Sequence, residues 1–231
     1  MSNSSQRRIL AVDVGGTHVK IALSGQAESR KLASGPKLTA RQMVTRVRTL
    51  ARGWRYDVVS IGYPGIVLHG RPLAEPHHLG SGWVGFDFRA AFGKPVRIVN
   101  DAAMQAIGSY EGRRMLFLGL GTGLGSALIL DGMLEAMELG HLPYRKGRTY
   151  EDYLGEGGRQ RLGRRKWQRA VLDVVERLTA AFETDYTVLG GGNVVRLRNL
   201  PPHVRPGNNA NAFAGGFRLW TEPQWYRGAR G

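Results

Sequence analysis

The chain has 231 residues, of which 42% are hydrophobic, so it can form one large domain or two small lobes around buried cores. It contains no cysteine, which excludes disulfides, thiolate metal ligands and cysteine nucleophiles, and no apolar run approaches the ~20 residues that span a bilayer. The formal net charge of +15 attracts polyanions, but no zinc knuckle or RNP-like aromatic strand accompanies it, so no specific nucleic-acid partner is expected.

The chain opens with a polar tail that lacks an apolar signal core, so we expect a soluble, cytoplasmic protein without a membrane partner. The first predicted strand, residues 7–14, then runs into Asp13 and a glycine turn. Glycines let backbone N–H groups approach phosphate oxygens, and a carboxylate at the strand end faces a cation. This order of residue types predicts a phosphate site with Mg²⁺ near Asp13, held through water, and with phosphate contacts from Gly15, Gly16, Thr17 and Lys20.

Strands are predicted next over 19–25 and 57–65, with a helix over 39–53 between them. Residues 66–93 combine turn residues with scattered aromatics and predict a long loop, where ligands are often held. The turn that ends at Gly65 is a hypothetical substrate loop. The loop also contains rings that can stack on a sugar or lie idle at the surface, namely His77, His78 and Trp83.

The strand predicted over 94–101 ends at Asp101, where a helix over 101–111 begins. A carboxylate there lies where open α/β sheets bind ligands, and it can take the proton from an attacking hydroxyl. Aspartate is also a good helix N-cap, so from local sequence both interpretations of Asp101 stay open.

A second glycine turn joins strands predicted over 115–121 and 125–130; its phosphate-binding candidates are Gly121, Thr122 and Gly123. Two such turns suggest two halves that close on one phosphate donor. Glu138 and His141 follow, and side chains three residues apart on a turn can both contact vicinal sugar hydroxyls. Surface decoration and part of a zinc site are the alternatives.

Residues 145–169 hold nine Lys or Arg and three acids, which predicts either a solvated helix face or a track for a long polyanion. A helix over 164–183 and a strand over 185–192 follow. The glycines after that strand, Gly191 and Gly192, let a phosphate or flat group lie against the backbone, or form a simple turn.

Residues 206–220 predict a capping helix or turn, and the residues beyond them a poorly ordered end. Strands that alternate with helices predict an α/β fold. We expect one lobe over 1–98, a second over 99–205, a tail over 206–231 that packs back on the first, and a ligand cleft between the lobes.

These motifs in this order resemble the ROK family of sugar kinases and sugar-responsive repressors, within the actin-like ATPase-domain superfamily, and are most similar to its polyphosphate-dependent glucokinases. The segments that carry the resemblance are DVGGTHVK (13–20), GYPG (62–65), VNDA (99–102), GLGTGLGSAL (119–128), ELGH (138–141) and LGGGN (189–193).

The resemblance implies a two-lobed actin-like ATPase (ribonuclease H-like) fold and a hexokinase-type reaction. In that reaction a phosphoryl group passes from polyphosphate or ATP, with Mg²⁺, to the 6-hydroxyl of glucose or a related hexose. The family's catalytic base corresponds to Asp101 and its metal-side aspartate to Asp13. Its sugar-binding residues correspond to Asn100, Glu138 and His141. We also expect a homodimer.

Three departures from the family pattern matter. The zinc-binding cysteine cluster of many members is absent, so no structural zinc is implied. Glu151 is the best match to a further sugar-binding glutamate, although its spacing differs. His78 stands where the family usually has an asparagine that touches the sugar, which leaves the identity of the hexose open.

Alternative functions are a non-catalytic sugar sensor and an ATP-dependent kinase for fructose, mannose or N-acetylmannosamine. A sensor of the repressor type carries a DNA-reading module before the kinase-like core, and the short stretch before the first strand is not expected to hold one. An actin-like ATPase that serves assembly is disfavoured by the ELGH segment.

Overall fold

The computed structural model describes residues 7–226. Within this range the chain forms two compact units, the first from residues 7–104 and 212–226 and the second from 105–211. The boundaries expected from sequence lie a few residues earlier at both changes of unit. The first change falls inside a helix, where no shift in composition marks it.

The first unit is built on a five-stranded sheet with strand order β3-β2-β1-β4-β7. The strands of this unit are β1 (Ile9–Val14), β2 (His18–Leu23), β3 (Ser29–Ala33), β4 (Val58–Tyr63), β5 (Val67–Leu68), β6 (Arg71–Pro72) and β7 (Val96–Asn100). β1 to β3 form an antiparallel meander, and β4 and β7 join it parallel to β1. β4 is buried at every position and β1 at every position except Asp13, as is usual for central strands covered on both faces.

Helices cover this sheet and form its apolar core. α1 (Ala40–Leu50) begins at a capping box between Thr39 and Gln42 and buries the stripe that includes Met43 and Val47. It ends at Leu50, with Ala51 as its C-cap, whereas the sequence pattern predicted an end at Gly53. α2 (Phe88–Phe92) and α3 (Asp101–Ser109) follow.

The segment 66–93 is more ordered than the predicted loop, since it contains the β5–β6 hairpin and α2. Trp83 is fully buried, with its ring centroid 5.6 Å from that of Tyr63 and 6.2 Å from that of Phe88. The expectation that Trp83 stacks on a sugar was therefore wrong, because its ring belongs to the core.

The second unit repeats the strand order of the first, as β10-β9-β8-β11-β12. Its strands are β8 (Arg114–Leu120), β9 (Leu124–Leu130), β10 (Met133–Met137), β11 (Tyr186–Gly190) and β12 (Val204–Pro206). β8 to β10 pair antiparallel, and β11 and β12 join parallel to β8. The two glycine turns predicted from sequence therefore occupy the same place in two sheets of one topology, between the first and second strands.

Two helices cover the second sheet, α4 (Tyr150–Leu154) and the long α5 (Glu156–Phe182). Gly163 interrupts α5 with non-helical angles, φ 72° and ψ 162°. The predicted helix over 164–183 corresponds to the part after this break. The part before it was missed because its glycines and charges hide the helical period.

The end of the described chain packs on the first unit. α6 (Asn211–Thr221) is followed by Trp225, which is buried, so the predicted poor order beyond 220 was wrong as far as residue 226. The indole N–H of Trp220 donates to Ser60 at 3.0 Å, and the Arg97 guanidinium lies over the rings of Trp220 and Tyr226. Residues 227–231 lie outside the described range. Among the helices of residues 7–226, none has the length and apolar content to cross a bilayer.

Trp167 anchors α5, and its removal tests the core of the second unit. The side chain is fully buried and its indole N–H donates to the Leu154 carbonyl at 2.8 Å. We expect Trp167→Ala to lower the free energy of unfolding by about 3–5 kcal/mol, through the lost apolar burial and the cavity left behind. Urea denaturation followed by circular dichroism measures this. The neighbouring exposed residue provides the control, since Lys166→Ala should stay within about 0.5 kcal/mol of the parent chain.

Candidate functional site

Three adjacent parallel strands of the first unit bring its candidate acidic residues to one edge of the sheet. Asp13 of β1 is in register with Gly62 of β4, and Gly62 is in register with Val99 of β7. Asp101 begins the helix that leaves β7. Because parallel strands end at the same edge, the carboxylates predicted for the metal and for the base both belong to this edge.

Asp13 is a buried carboxylate with one cationic neighbour. Its side chain is 14% exposed, and its Oδ2 lies 3.8 Å from Nζ of Lys20, the residue paired with it on β2. Burial raises the pKa of Asp13 above its usual value, while the charge of Lys20 acts in the opposite direction. A further cation beside this carboxylate would favour its ionised form.

The side chain that caps α3 belongs to Asn100 and not to Asp101, for which a capping role was one of two open interpretations. Asn100 Oδ1 accepts from the backbone N–H of Ala103 at 3.1 Å, and its Nδ2 donates to the Gly65 carbonyl at 3.1 Å. Asp101 is the first helical residue, and its Oδ1 accepts from the N–H of Ala102 at 2.8 Å. The capping role that competed with a catalytic role for Asp101 is thus filled by its neighbour.

Gly62 lets α3 approach β4. A Cβ atom at Gly62 would lie 2.5 Å from Cε of Met104 and 3.4 Å from Cα of Asp101. The backbone at Asp101 is therefore placed by the sheet itself.

Two hydrogen bonds close the first glycine turn, one to the start of β2 and one from the residue that follows β3. Gly15 N–H donates to the His18 carbonyl at 3.0 Å, and Ser34 Oγ donates to the Gly15 carbonyl at 2.6 Å. Thr17 is exposed, and its hydroxyl lies 3.3 Å from Nδ1 of His18. The structure also places His78 against Gly16.

The second glycine turn is held by α4 and the start of α5. Oε2 of Glu151 accepts from the N–H of Leu124 at 2.9 Å and lies against Gly123. The N–H of Glu156 donates to the carbonyls of Gly121 and Thr122, each at 3.1 Å. The structure therefore brings Glu151, a predicted sugar ligand, to the turn predicted to bind phosphate.

Glu156 also carries an ion pair beside this turn. Hydrogen bonds from Arg159, above all, and from Gln160 lower the pKa of Glu156 to about 2. The carboxylate stays ionised at neutral pH, and sequence reasoning missed it because nothing in the local pattern separates it from a surface charge.

The third glycine segment lies beside the second turn. Asn193 N–H donates to the Leu120 carbonyl at 3.0 Å, and its Nδ2 donates to the Gly121 carbonyl at 3.3 Å. Gly191 has φ +83°, and a Cβ there would run into the Leu120 carbonyl. Gly191 and Gly192 line a cavity of about 790 Å³ that continues to Arg198 and Asn199.

Glu138 and His141 point their polar ends toward each other at the surface. Nε2 of His141 lies 3.9 Å from Oε2 of Glu138, and both side chains are exposed. Gly140 between them packs against the Leu124 carbonyl and the Cβ of Glu151. The ELGH segment and Glu151 thus meet at Leu124. Within residues 7–226, no three His, Asp or Glu side chains are grouped so that they could hold a metal ion.

A second cavity of the same unit, about 520 Å³, is lined by arginines. Arg198 also lines this cavity, although it lies outside the basic segment 145–169. Gln168 holds it there, because Gln168 Nε2 donates to the Arg198 carbonyl at 2.6 Å and Gln168 Oε1 accepts from the Arg198 N–H at 3.2 Å. We call this cavity the arginine groove. The arginines that line it are Arg164, Arg165, Arg169 and Arg198.

A model of the ROK family matches residues 9–154, more than half of the chain. The chain belongs to the ROK family. The resemblance drawn from the sequence motifs is thereby confirmed.

Three relatives show how close the likeness is. Polyphosphate glucokinase of Mycobacterium tuberculosis (strain ATCC 25618 / H37Rv) is 28% identical over 214 residues, which cover 82% of this chain and 79% of its own. N-acetylmannosamine kinase of Salmonella paratyphi A (strain ATCC 9150 / SARB42) is 31% identical over 141 residues, 54% of this chain and 48% of its own. The solved inorganic polyphosphate/ATP-glucomannokinase of Arthrobacter sp. strain KM has a TM-score of 0.75 at 24% identity, covering 92% of this chain and 98% of that one. This structural likeness confirms the predicted actin-like ATPase fold.

Gly191 and Gly192 form a matched pair for testing the third glycine segment. Gly191→Ala should lower the free energy of unfolding by about 1–3 kcal/mol from backbone strain alone, with the contact to Leu120 adding to it. Gly192 has a negative φ and open space around its α-carbon, so Gly192→Ala should cost less than about 1 kcal/mol. Chemical denaturation of both variants compares them, and equal costs would contradict this account of the turn.

Proposed function

We propose that this ROK protein is a hexose kinase that transfers a phosphoryl group from polyphosphate or ATP to the 6-hydroxyl of glucose or a related hexose. The observation that carries the proposal is the placement of Asp101. It stands at the sheet edge that also holds Asp13, and its neighbour Asn100 caps the helix in its stead. The relatives' names, glucokinase, glucomannokinase and N-acetylmannosamine kinase, support hexoses as the substrate class.

In this mechanism Asp101 acts as the general base. Its carboxylate takes the proton of the sugar hydroxyl as that oxygen attacks phosphorus. The bond from phosphorus to the sugar oxygen forms while the bond to the bridging oxygen of the donor breaks. The shortened donor leaves with the bonding electron pair.

The residues near Asp13 fit a magnesium–phosphate complex. Mg²⁺ is commonly bound through one or two carboxylates together with substrate phosphates, and Asp13 supplies one carboxylate beside a glycine turn. When bound, the ion neutralises charge on the donor phosphates. Around it, Gly15, Gly16 and Thr17 offer backbone and hydroxyl donors, and Lys20 shares its charge with Asp13.

Sugar recognition is assigned to the polar groups that the family resemblance identifies. Asn100 uses Oδ1 for the helix and one N–H for Gly65, so one amide N–H is left for a hydroxyl. Glu138 and Glu151 provide carboxylate oxygens that accept from sugar hydroxyls, and His141 provides a ring nitrogen.

The donor is assigned to the glycine turns and the two cavities of the second unit. Arg198 and Asn199 line both the cavity beside Gly191 and the arginine groove, so the two cavities adjoin, and we assign both to one donor path. Guanidinium groups bind phosphate oxygens in a bidentate manner, and a row of them suits a chain of phosphates longer than a triphosphate. This path favours polyphosphate as a donor alongside ATP.

Asp101→Asn tests the base. The amide keeps the size of the side chain but cannot accept a proton, so we expect kcat to fall by roughly 10²–10⁴-fold while the Kd for sugar changes little. A coupled assay of glucose, mannose, fructose and N-acetylmannosamine, each with ATP and with polyphosphate, measures the rate. Titration calorimetry measures sugar binding. Asp131→Asn, in an exposed turn, is the control and should keep full activity.

Transfer at a near-normal rate by Asp101→Asn would remove the base from the mechanism. Sugar binding by the parent chain without turnover of either donor would instead favour the sensor function.

Charge reversal in the arginine groove tests the donor path. Arg165→Glu with Arg169→Glu should raise KM for long-chain polyphosphate at least about tenfold, because each lost phosphate contact is charge-assisted. KM for ATP should stay within about twofold. The control, Arg41→Glu with Arg46→Glu on α1, changes the net charge equally at exposed positions of the first unit. Equal effects on KM for both donors, or no effect on either, would show that the groove is a solvated surface and not a path for polyphosphate.

A further inference from the structure

The loop between β6 and α2 holds His78 against the first glycine turn. A Cβ atom at Gly16 would lie 3.1 Å from the Cβ of His78 and 3.7 Å from its Cγ. The family resemblance implies that this histidine stands where an asparagine usually touches the sugar. The geometry places it beside the turn assigned to donor phosphate.

The position of His78 is fixed by the residues that follow it. Leu79 is buried, and the N–H of Gly80 donates to the Leu38 carbonyl at 3.0 Å. A Cβ at Gly80 would lie 2.9 Å from the carbonyl carbon of Lys37, so the loop and the chain before α1 are in direct backbone contact. His78 therefore faces Gly16 because its loop is anchored.

The basic side chains near the first glycine turn differ in whether they already have a partner within the protein. The ammonium group of Lys20 already pairs with Asp13, and the ring of His18 lies at hydrogen-bond distance from Thr17. The ring of His78 is exposed, and within residues 7–226 its nitrogens make no hydrogen bond. They are free to donate to an anion at the turn.

We propose that His78 binds the donor phosphate at the first glycine turn and does not contact the sugar. This inference rests on the proposed kinase function and names a donor-binding residue for it. An imidazole N–H donates to a phosphate oxygen, and the ring extends further from the backbone than the amide of an asparagine at this position.

Steady-state kinetics with both substrates varied separates the two roles. His78→Asn and His78→Ala should raise KM for polyphosphate and for ATP about tenfold, since a charge-assisted hydrogen bond is lost, and leave KM for sugar within about twofold. His77→Asn, an exposed neighbour in the same loop, is the control and should change neither. A rise in KM for sugar with donor KM unchanged, or an equal rise in both, would overturn the proposal.

Direct binding gives a readout that needs no turnover. Calorimetric titration of the folded proteins with tripolyphosphate, without sugar, should show Kd about tenfold weaker in His78→Asn than in the parent chain and unchanged in His77→Asn. Equal Kd values in His78→Asn and the parent, or no binding by the parent, would overturn the role of His78. Failure of the kinase function appears separately, as tripolyphosphate binding that depends on His78 without any sugar phosphorylation.

Discussion

The parallel pairing of β1, β4 and β7 is the constraint on which the acidic edge of the first unit depends. Strand register aligns Asp13 with Gly62 and Gly62 with Val99, and the start of α3 then packs directly on β4. A Cβ at Gly62 would displace the flexible end of Met104 and would meet the Asp101 backbone at contact distance. Strand pairing and this close packing thus set the backbone positions of Asp13 and Asp101, which suits a site that must hold reacting groups in one geometry.

Sequence patterns predicted those elements whose physics is local. Long apolar runs beside glycine turns identified β1, β4, β8, β9 and β11, and helical periodicity identified α1. The sequence patterns missed the edge strands β3 and β10, because these short strands contain no buried residue and therefore show no apolar run. The choice of Asn100 over Asp101 as cap was beyond sequence, because both residue types cap well and only the point where β7 ends decides between them.

The candidate site shows the same difference between features set by local sequence and features set by distant contacts. Glycine turns, strand-end carboxylates and the ELGH segment were visible as motifs, and their residues lie on the turns predicted for them. What sequence could not show were contacts between distant segments: Glu151 on Gly123, Arg198 in the arginine groove, and His78 on Gly16. Each depends on how loops pack against the sheets, so residue types that look equivalent in sequence, such as His77 and His78, acquire different surroundings.

Asp13 shows why the fold alone does not explain this edge. Burial raises the pKa of its carboxyl group. When the pKa of an acid is higher in the folded state than in the unfolded state, the folded state loses stability as pH rises from the unfolded pKa to the folded pKa. Ionisation of this side chain therefore opposes folding, and Lys20 offsets only part of that effect. A residue selected for stability at this position would be apolar, as its neighbours in β1 are. Under the proposed function, a magnesium ion that binds the folded chain and not the unfolded chain would offset this unfavourable effect.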